Sequence, residues 1–217
     1  MAIVVREVSD DELPRVAEIE TAAYADNPLS LVLFPGPFPP NHGAQRLSAL
    51  KEQRYSDTTA RYIQAHDDET GLLVAFAKWH IFDTPEAAAT AQRPTRTFGN
   101  GTNREACEEF FGTLSSRKKE LMGDKPHLYL HMLHTDPAFQ RRGAGGKLIE
   151  WGTKIADELG LPTYLEASPK GYRVYQRHGF KDLEVFDFDL EKYGGIGVYK
   201  EPIMLKEPVR LKPANAV

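Results

Sequence analysis

The chain has 217 residues, 41% hydrophobic and 27% charged, with a net charge of −4. That balance suits one globular domain over residues 1–217 and excludes wholesale disorder and fibrous repeats. An acidic chain is not expected to grip nucleic-acid phosphates, and its longest apolar run, Leu72–Ala77, is far short of the roughly 20 residues that span a bilayer. Cys107 is the only cysteine, so no intramolecular disulfide can form, which fits a reducing compartment. Met1–Glu7 lacks the charged lead and apolar core of a secretory signal. A soluble, cytoplasmic protein with no nucleic-acid or membrane partner is expected.

Residues 2–8 form a β-branched run that predicts a strand, and Ser9-Asp10-Asp11-Glu12 supplies an N-cap with acidic first-turn residues. Leu13, Val16, Ile19 and Tyr24 continue at helical spacing. Five prolines between Asn27 and Pro40 predict a loop, and a second helix fits residues 42–55. Residues 58–66 and 72–82 read as a hairpin turning at 67–71. The polar stretch 86–102 reads as an exposed excursion, within a longer interruption at 84–124. Asn103 then caps a helix that ends near Met122, before Gly123.

The last third alternates more sharply. A strand over 127–133, an amphipathic helix over 144–159 and a strand over 163–167 make a βαβ unit, which crosses over right-handed. A short helix over 170–178 and two strands, 181–190 and 197–205, complete the chain. Between the first of these strands and its helix lies Gln140-Arg141-Arg142-Gly143-Ala144-Gly145-Gly146-Lys147. Glycines there let backbone approach a ligand, and the helix start offers unpaired N–H groups and a positive dipole end. Three cations add to this, so the expected ligand is an anion, a pyrophosphate. A nucleotide P-loop fails because Arg141 and Leu148 stand where a glycine and a hydroxyl belong. A dinucleotide fingerprint fails at Leu148 as well. A glycine-rich turn with solvated cations and no ligand is the other reading.

Leu133-His134-Thr135-Asp136-Pro137-Ala138-Phe139-Gln140-Arg141-Arg142-Gly143-Ala144-Gly145 resembles the acetyl-CoA signature of the GCN5-related N-acetyltransferases, Gln/Arg-x-x-Gly-x-Gly/Ala. Tyr175-Gln176-Arg177-His178-Gly179-Phe180 resembles the Tyr-x-x-x-Gly-Phe element of the same family. The resemblance covers about residues 127–182. It implies an α/β (α+β) fold with a central mixed, mostly antiparallel sheet, a splayed parallel strand pair at 127–134 and 163–168, and helices on both faces. It implies acetyl-CoA as co-substrate, its pyrophosphate held by Gly143, Ala144, Gly145, Gly146 and Lys147. Leu133, His134 and Thr135 would run beside the pantetheine arm, with Gln140, Arg141 and Arg142 at the phosphates. Ser168 stands where many members place an asparagine.

Acetyl transfer from a thioester to an amine needs a base for the amine and an acid for the thiolate, because an alkylamine is mostly protonated at neutral pH. Leu130-His131-Met132-Leu133 resembles the histidine strand of the arylalkylamine N-acetyltransferases, which makes His131 the first base candidate. Strand alternation would put it on one face with Tyr129 and Leu133, away from Leu130 and Met132. A hydrogen-bonded core histidine is the alternative. Tyr175 is the candidate acid, or else a ring that packs the pantetheine, and Glu166 is a secondary base. His127 and His131 would face opposite His134, so no metal is expected. Tyr24, Phe34, Phe38 and Trp79 could line an aromatic acceptor pocket, although aromatic core residues are the more usual explanation. The reading is an acetyl-CoA-dependent N-acetyltransferase of a small-molecule amine; alternatives are a protein N-terminal or lysine acetyltransferase, or a non-catalytic acyl-CoA-binding module.

Overall fold

The computed structural model describes residues 2–90 and 98–209. Seven strands form one sheet: β1 (Ile3–Glu7), β2 (Ala60–Asp67), β3 (Leu73–Phe82), β4 (His127–Thr135), β5 (Thr163–Glu166), β6 (Lys181–Asp189) and β7 (Val198–Lys206). Their order is β1-β2-β3-β4-β5-β7-β6. Every neighbouring pair is antiparallel except β4 and β5. The helices are α1 (Leu13–Tyr24), α2 (Pro28–Leu33), α3 (His42–Ser56), α4 (Pro85–Thr90), α5 (Arg104–Met122), α6 (Ala144–Leu159) and α7 (Tyr172–Arg177).

Two segments differ from the sequence reading. The proline-rich stretch holds α2, because Asn27 accepts the Leu29 N–H and Pro28 sits at a first helical position, where its missing N–H costs nothing. That turn buries Leu29, Val32 and Leu33. The expected excursion begins with α4, which Thr84 starts by accepting the Ala87 N–H. Residues 91–97 lie outside the described ones.

One face of the sheet packs on α6. Leu148, Ile149, Gly152 and Ala156 meet Trp79, Leu128 and Leu130, all buried. Gly152 is required there by space, since a Cβ on it would lie 2.3 Å from Trp79 Cζ2. Trp79 therefore belongs to the core and not to an acceptor pocket. The other face carries α1, through Leu13, Val16 and Ile19, and α5, through Phe110 and Leu114.

A bulge in β4 decides how the site is faced. Lys78 pairs with Met132 and Trp79 with Leu130, so His131 is the extra residue. A bulge shifts the alternation by one. Leu133 thus joins Leu128 and Leu130 on the α6 side, while His131, Met132 and His134 stay on the side of Tyr129. This corrects the expected grouping of His131 with Leu133 and away from Met132. It also places His134 on the side of His127 and His131, against Tyr24 and Phe76.

Candidate active site

β4 and β5 pair only at Leu128↔Thr163, Tyr129↔Tyr164 and Leu130↔Leu165. Beyond that point β4 stays with β3, as far as Ala75↔Thr135. β5 stays with β7, where Glu166 pairs with Ile203 and the Ala167 N–H donates to Pro202 at 2.8 Å. The two parallel strands part like a wedge. His131–Thr135 consequently turn one backbone edge toward a gap that holds no strand among the described residues. The gap opens into a cleft of roughly 2600 Å³, larger than the roughly 300–1,000 Å³ of a single small-ligand site. Two substrates can share it.

The glycine-rich turn closes one side of the wedge. Gly143 has φ +90° and open space around its Cβ position, so backbone conformation demands the glycine. Arg141 sits at φ +61°, a left-handed conformation rare outside glycine. The start of the turn is pinned: Asp136 pairs with Arg15, accepts the Ala138 N–H at 2.9 Å and donates its own N–H to Val74 at 2.9 Å. A Cβ on Gly145 would lie 3.5 Å from Leu133 and 3.7 Å from Thr135 Oγ1, so these side chains cover the first turn of α6. The first N–H groups of that helix, at Ala144, Gly145 and Gly146, have no intrahelical acceptor and stand at the positive end of 16 aligned residues.

Gln140, Arg141, Gly143 and Gly145 line the cleft. Arg142 and Lys147 are exposed outside its walls, the first over the Phe139 ring and the second paired with Glu150 at 3.2 Å. Sequence reasoning missed His178, whose ring lies against the turn, Nε2 being 3.3 Å from a Cβ built on Gly146. Burial pushes its imidazole below the ordinary value. Ser168 lines the cleft and its hydroxyl accepts the Gly171 N–H at 3.3 Å.

His131, Tyr175 and Glu166 all line the same cleft. The Tyr175 ring packs on Phe180 and is buried. Burial, with Glu201 and Tyr24 adding to it, pushes its phenol well above the ordinary range, so it keeps its proton at neutral pH. Glu166 accepts hydroxyl hydrogen bonds from Tyr129 at 2.7 Å and Tyr164 at 3.2 Å. Those two bonds occupy both carboxylate oxygens. The His131 ring stacks on Tyr129 at 5.2 Å and has its Nδ1 3.3 Å from His80 Nε2. Sequence reasoning did not single out His80, because nothing in β3 marks which residue faces the bulge. Tyr24, Phe34 and Phe38 line the cleft. Cys107 is core, its thiol near the Leu33 carbonyl.

Comparison with known proteins agrees with the fold. Residues 31–180 match the acetyltransferase (GNAT) family. The chain belongs to that family. An uncharacterized N-acetyltransferase of Schizosaccharomyces pombe is 31% identical over 88 residues, which cover 41% of this chain and 37% of that protein. The match thus spans little more than a third of the relative's length. Among solved structures, a Corynebacterium glutamicum protein described as histone acetyltransferase HPA2 and related acetyltransferase has a TM-score of 0.62 at 21% identity, covering 98% of this chain and 99% of its own. A mosquito arylalkylamine N-acetyltransferase like 5b also scores 0.62, at 17% identity, over 95% and 100%. Both share the fold. Among the described residues, no helix is long and apolar enough to cross a membrane.

Proposed function

We propose that residues 1–217 act as one cytoplasmic catalytic domain that transfers the acetyl group of acetyl-CoA to the primary amine of a small molecule. The observation that carries this is the wedge itself. A strand edge with no neighbouring strand among the described residues, a helix N-terminus at one side and His131 with Tyr175 in the same cleft form one continuous space. The pantetheine arm would lie along His131–Thr135 as an added strand, with the pyrophosphate on the N–H groups of Gly143–Gly146. Gln140, Arg141 and His178 would border the phosphates.

In the chemical step the amine nitrogen bonds to the thioester carbonyl carbon, and the carbon–sulfur bond breaks. His131 takes the proton that the attacking amine loses. Tyr175, kept protonated by its burial, gives its proton to the departing sulfur. Glu166 serves best as a polar wall, since both its oxygens already accept hydrogen bonds. The acceptor would enter over Tyr24, Phe34 and Phe38, an aromatic approach suited to a compact amine. Release of free thiol from acetyl-CoA, followed over a panel of small amines and a panel of peptides, tests the reading. Turnover on small amines supports it; turnover confined to peptides would move the activity to a protein acceptor. Binding of acetyl-CoA without turnover on either panel would make the chain a binding module.

A further inference from the structure

The histidine that the bulge extrudes is not isolated. His80 on β3 is 8% exposed, and its Nε2 lies 3.3 Å from His131 Nδ1. Its other nitrogen, Nδ1, lies 3.1 Å from Thr59 Oγ1 and 3.3 Å from Asp57 Oδ2. Asp57, the residue that ends α3, accepts the Thr59 hydroxyl at 2.6 Å and the Thr59 N–H at 3.0 Å through Oδ1. Three residues from three segments thus form a row ending at His131.

We propose that Asp57 and His80 are positioning residues that set the tautomer of His131, leaving Nε2 as its proton-accepting nitrogen. The Thr59 hydroxyl has committed its hydrogen to Asp57, so both groups facing His80 Nδ1 are acceptors. His80 Nδ1 therefore carries the hydrogen. A neutral His80 is then bare at Nε2 and accepts from His131 Nδ1–H. His131 keeps its lone pair at Nε2. When that nitrogen takes a proton, the imidazolium that results is hydrogen-bonded at Nδ1 to a ring oriented by a carboxylate, the arrangement by which a buried aspartate supports a catalytic histidine.

The surroundings fit this order of charge. Burial pushes His80 below its ordinary value, although Asp57 opposes the shift, and the His80 interaction holds Asp57 well below the usual carboxylate range. Around the pair stand Lys78 on β3, Lys118 from α5 and Tyr129 on β4, with Glu166 on β5 reached through the Tyr129 hydroxyl. The two lysines disfavour a cation on His80. Asp57 is the anion in contact with it.

The assignment rests on His131 being the base, and the experiment separates the two claims. Nitrogen NMR of the full chain labelled with ¹⁵N-histidine reads each ring tautomer at neutral pH. The expected spectrum has His131 protonated at Nδ1 and bare at Nε2. In Asp57→Asn the new carboxamide donates to His80 Nδ1, and the His131 proton should move to Nε2. The same variant should lose about 10- to 100-fold in kcat, a part of the roughly 10²- to 10⁴-fold that a positioned general base contributes, with KM for acetyl-CoA unchanged and the neutral limb of the pH profile displaced. His80→Gln, which cannot relay the carboxylate, should show a similar loss. A wild-type His131 protonated at Nε2, or a tautomer and pH profile indifferent to Asp57→Asn, overturns the proposal. A wild-type rate in His131→Gln, with the His131 proton still moving to Nε2 in Asp57→Asn, removes the base assignment alone.

Discussion

Tyr175 and His131 divide the proton traffic, and single-atom changes separate chemistry from packing. Tyr175→Phe keeps the ring against Phe180 and deletes the acid. Acetyl-CoA affinity should hold while kcat falls about 10- to 1000-fold, within the range of acid–base effects; steady-state kinetics beside equilibrium binding would show it. An unchanged kcat would leave Tyr175 a packing residue. His131→Gln should depress the rate most near neutral pH and less at high pH, where an amine with pKa near 10.4 deprotonates unaided. A rate–pH profile that parallels the wild type would mark His131 as structural. The residue types were legible in the sequence because they sit beside the acetyl-CoA motif. Their orientation was not. Alternation along β4 fails at the bulge, and a bulge answers to pairing with β3, which sequence spacing cannot show.

At the level of elements, the strands and long helices were readable because each carries its own periodicity and caps. Asn103 accepts the Ala106 N–H and Gly123 ends α5; Gly160, in the left-handed region, ends α6. The short α2 was hidden because its six residues are too few for a periodic signal and the prolines around it read as loop. Packing between elements was also invisible, above all the close approach of α6 to Trp79. Gly152→Ala would drive a methyl into that ring, and repacking should cost about 1–3 kcal/mol. Thermal melts should show a drop of several degrees, roughly 2–4 °C per kcal/mol for a chain of this size, with the sheet otherwise intact. A melting temperature equal to wild type would mean that α6 is not seated on Trp79 as described.

Over the whole molecule, acid should loosen the fold in two overlapping stages. Burial pushes His127 and His134 down to about 4, from an ordinary 6.5. Below pH 6.5 the unfolded chain takes up protons that the native rings refuse, so stability falls until about pH 4. Glu12 follows: burial opposes its ionisation, yet hydrogen bonds from Arg6, Ser9 and Gln64 lower it to about 2, from 4.5. Its contribution is complete above pH 4.5 and disappears as pH falls toward 2. His134→Phe keeps a ring between Tyr24 and Phe76 and removes one titration, so its melting temperature should decline less steeply from pH 6.5 to 4. An identical slope would show that His134 does not carry this loss. The measurement that bears most directly on the central claim, that the parted strands and the α6 turn hold acetyl-CoA, is calorimetric titration of acetyl-CoA into the wild type and Gly143→Asp. The variant puts an L side chain at φ +90°, a strain of about 1–2 kcal/mol that a typical folding margin of about 5–15 kcal/mol absorbs, and it adds a negative charge beside the turn. Saturable one-to-one binding by the wild type, weakened severely in the folded variant, is predicted; equal binding by both, or none by the wild type, would contradict the account.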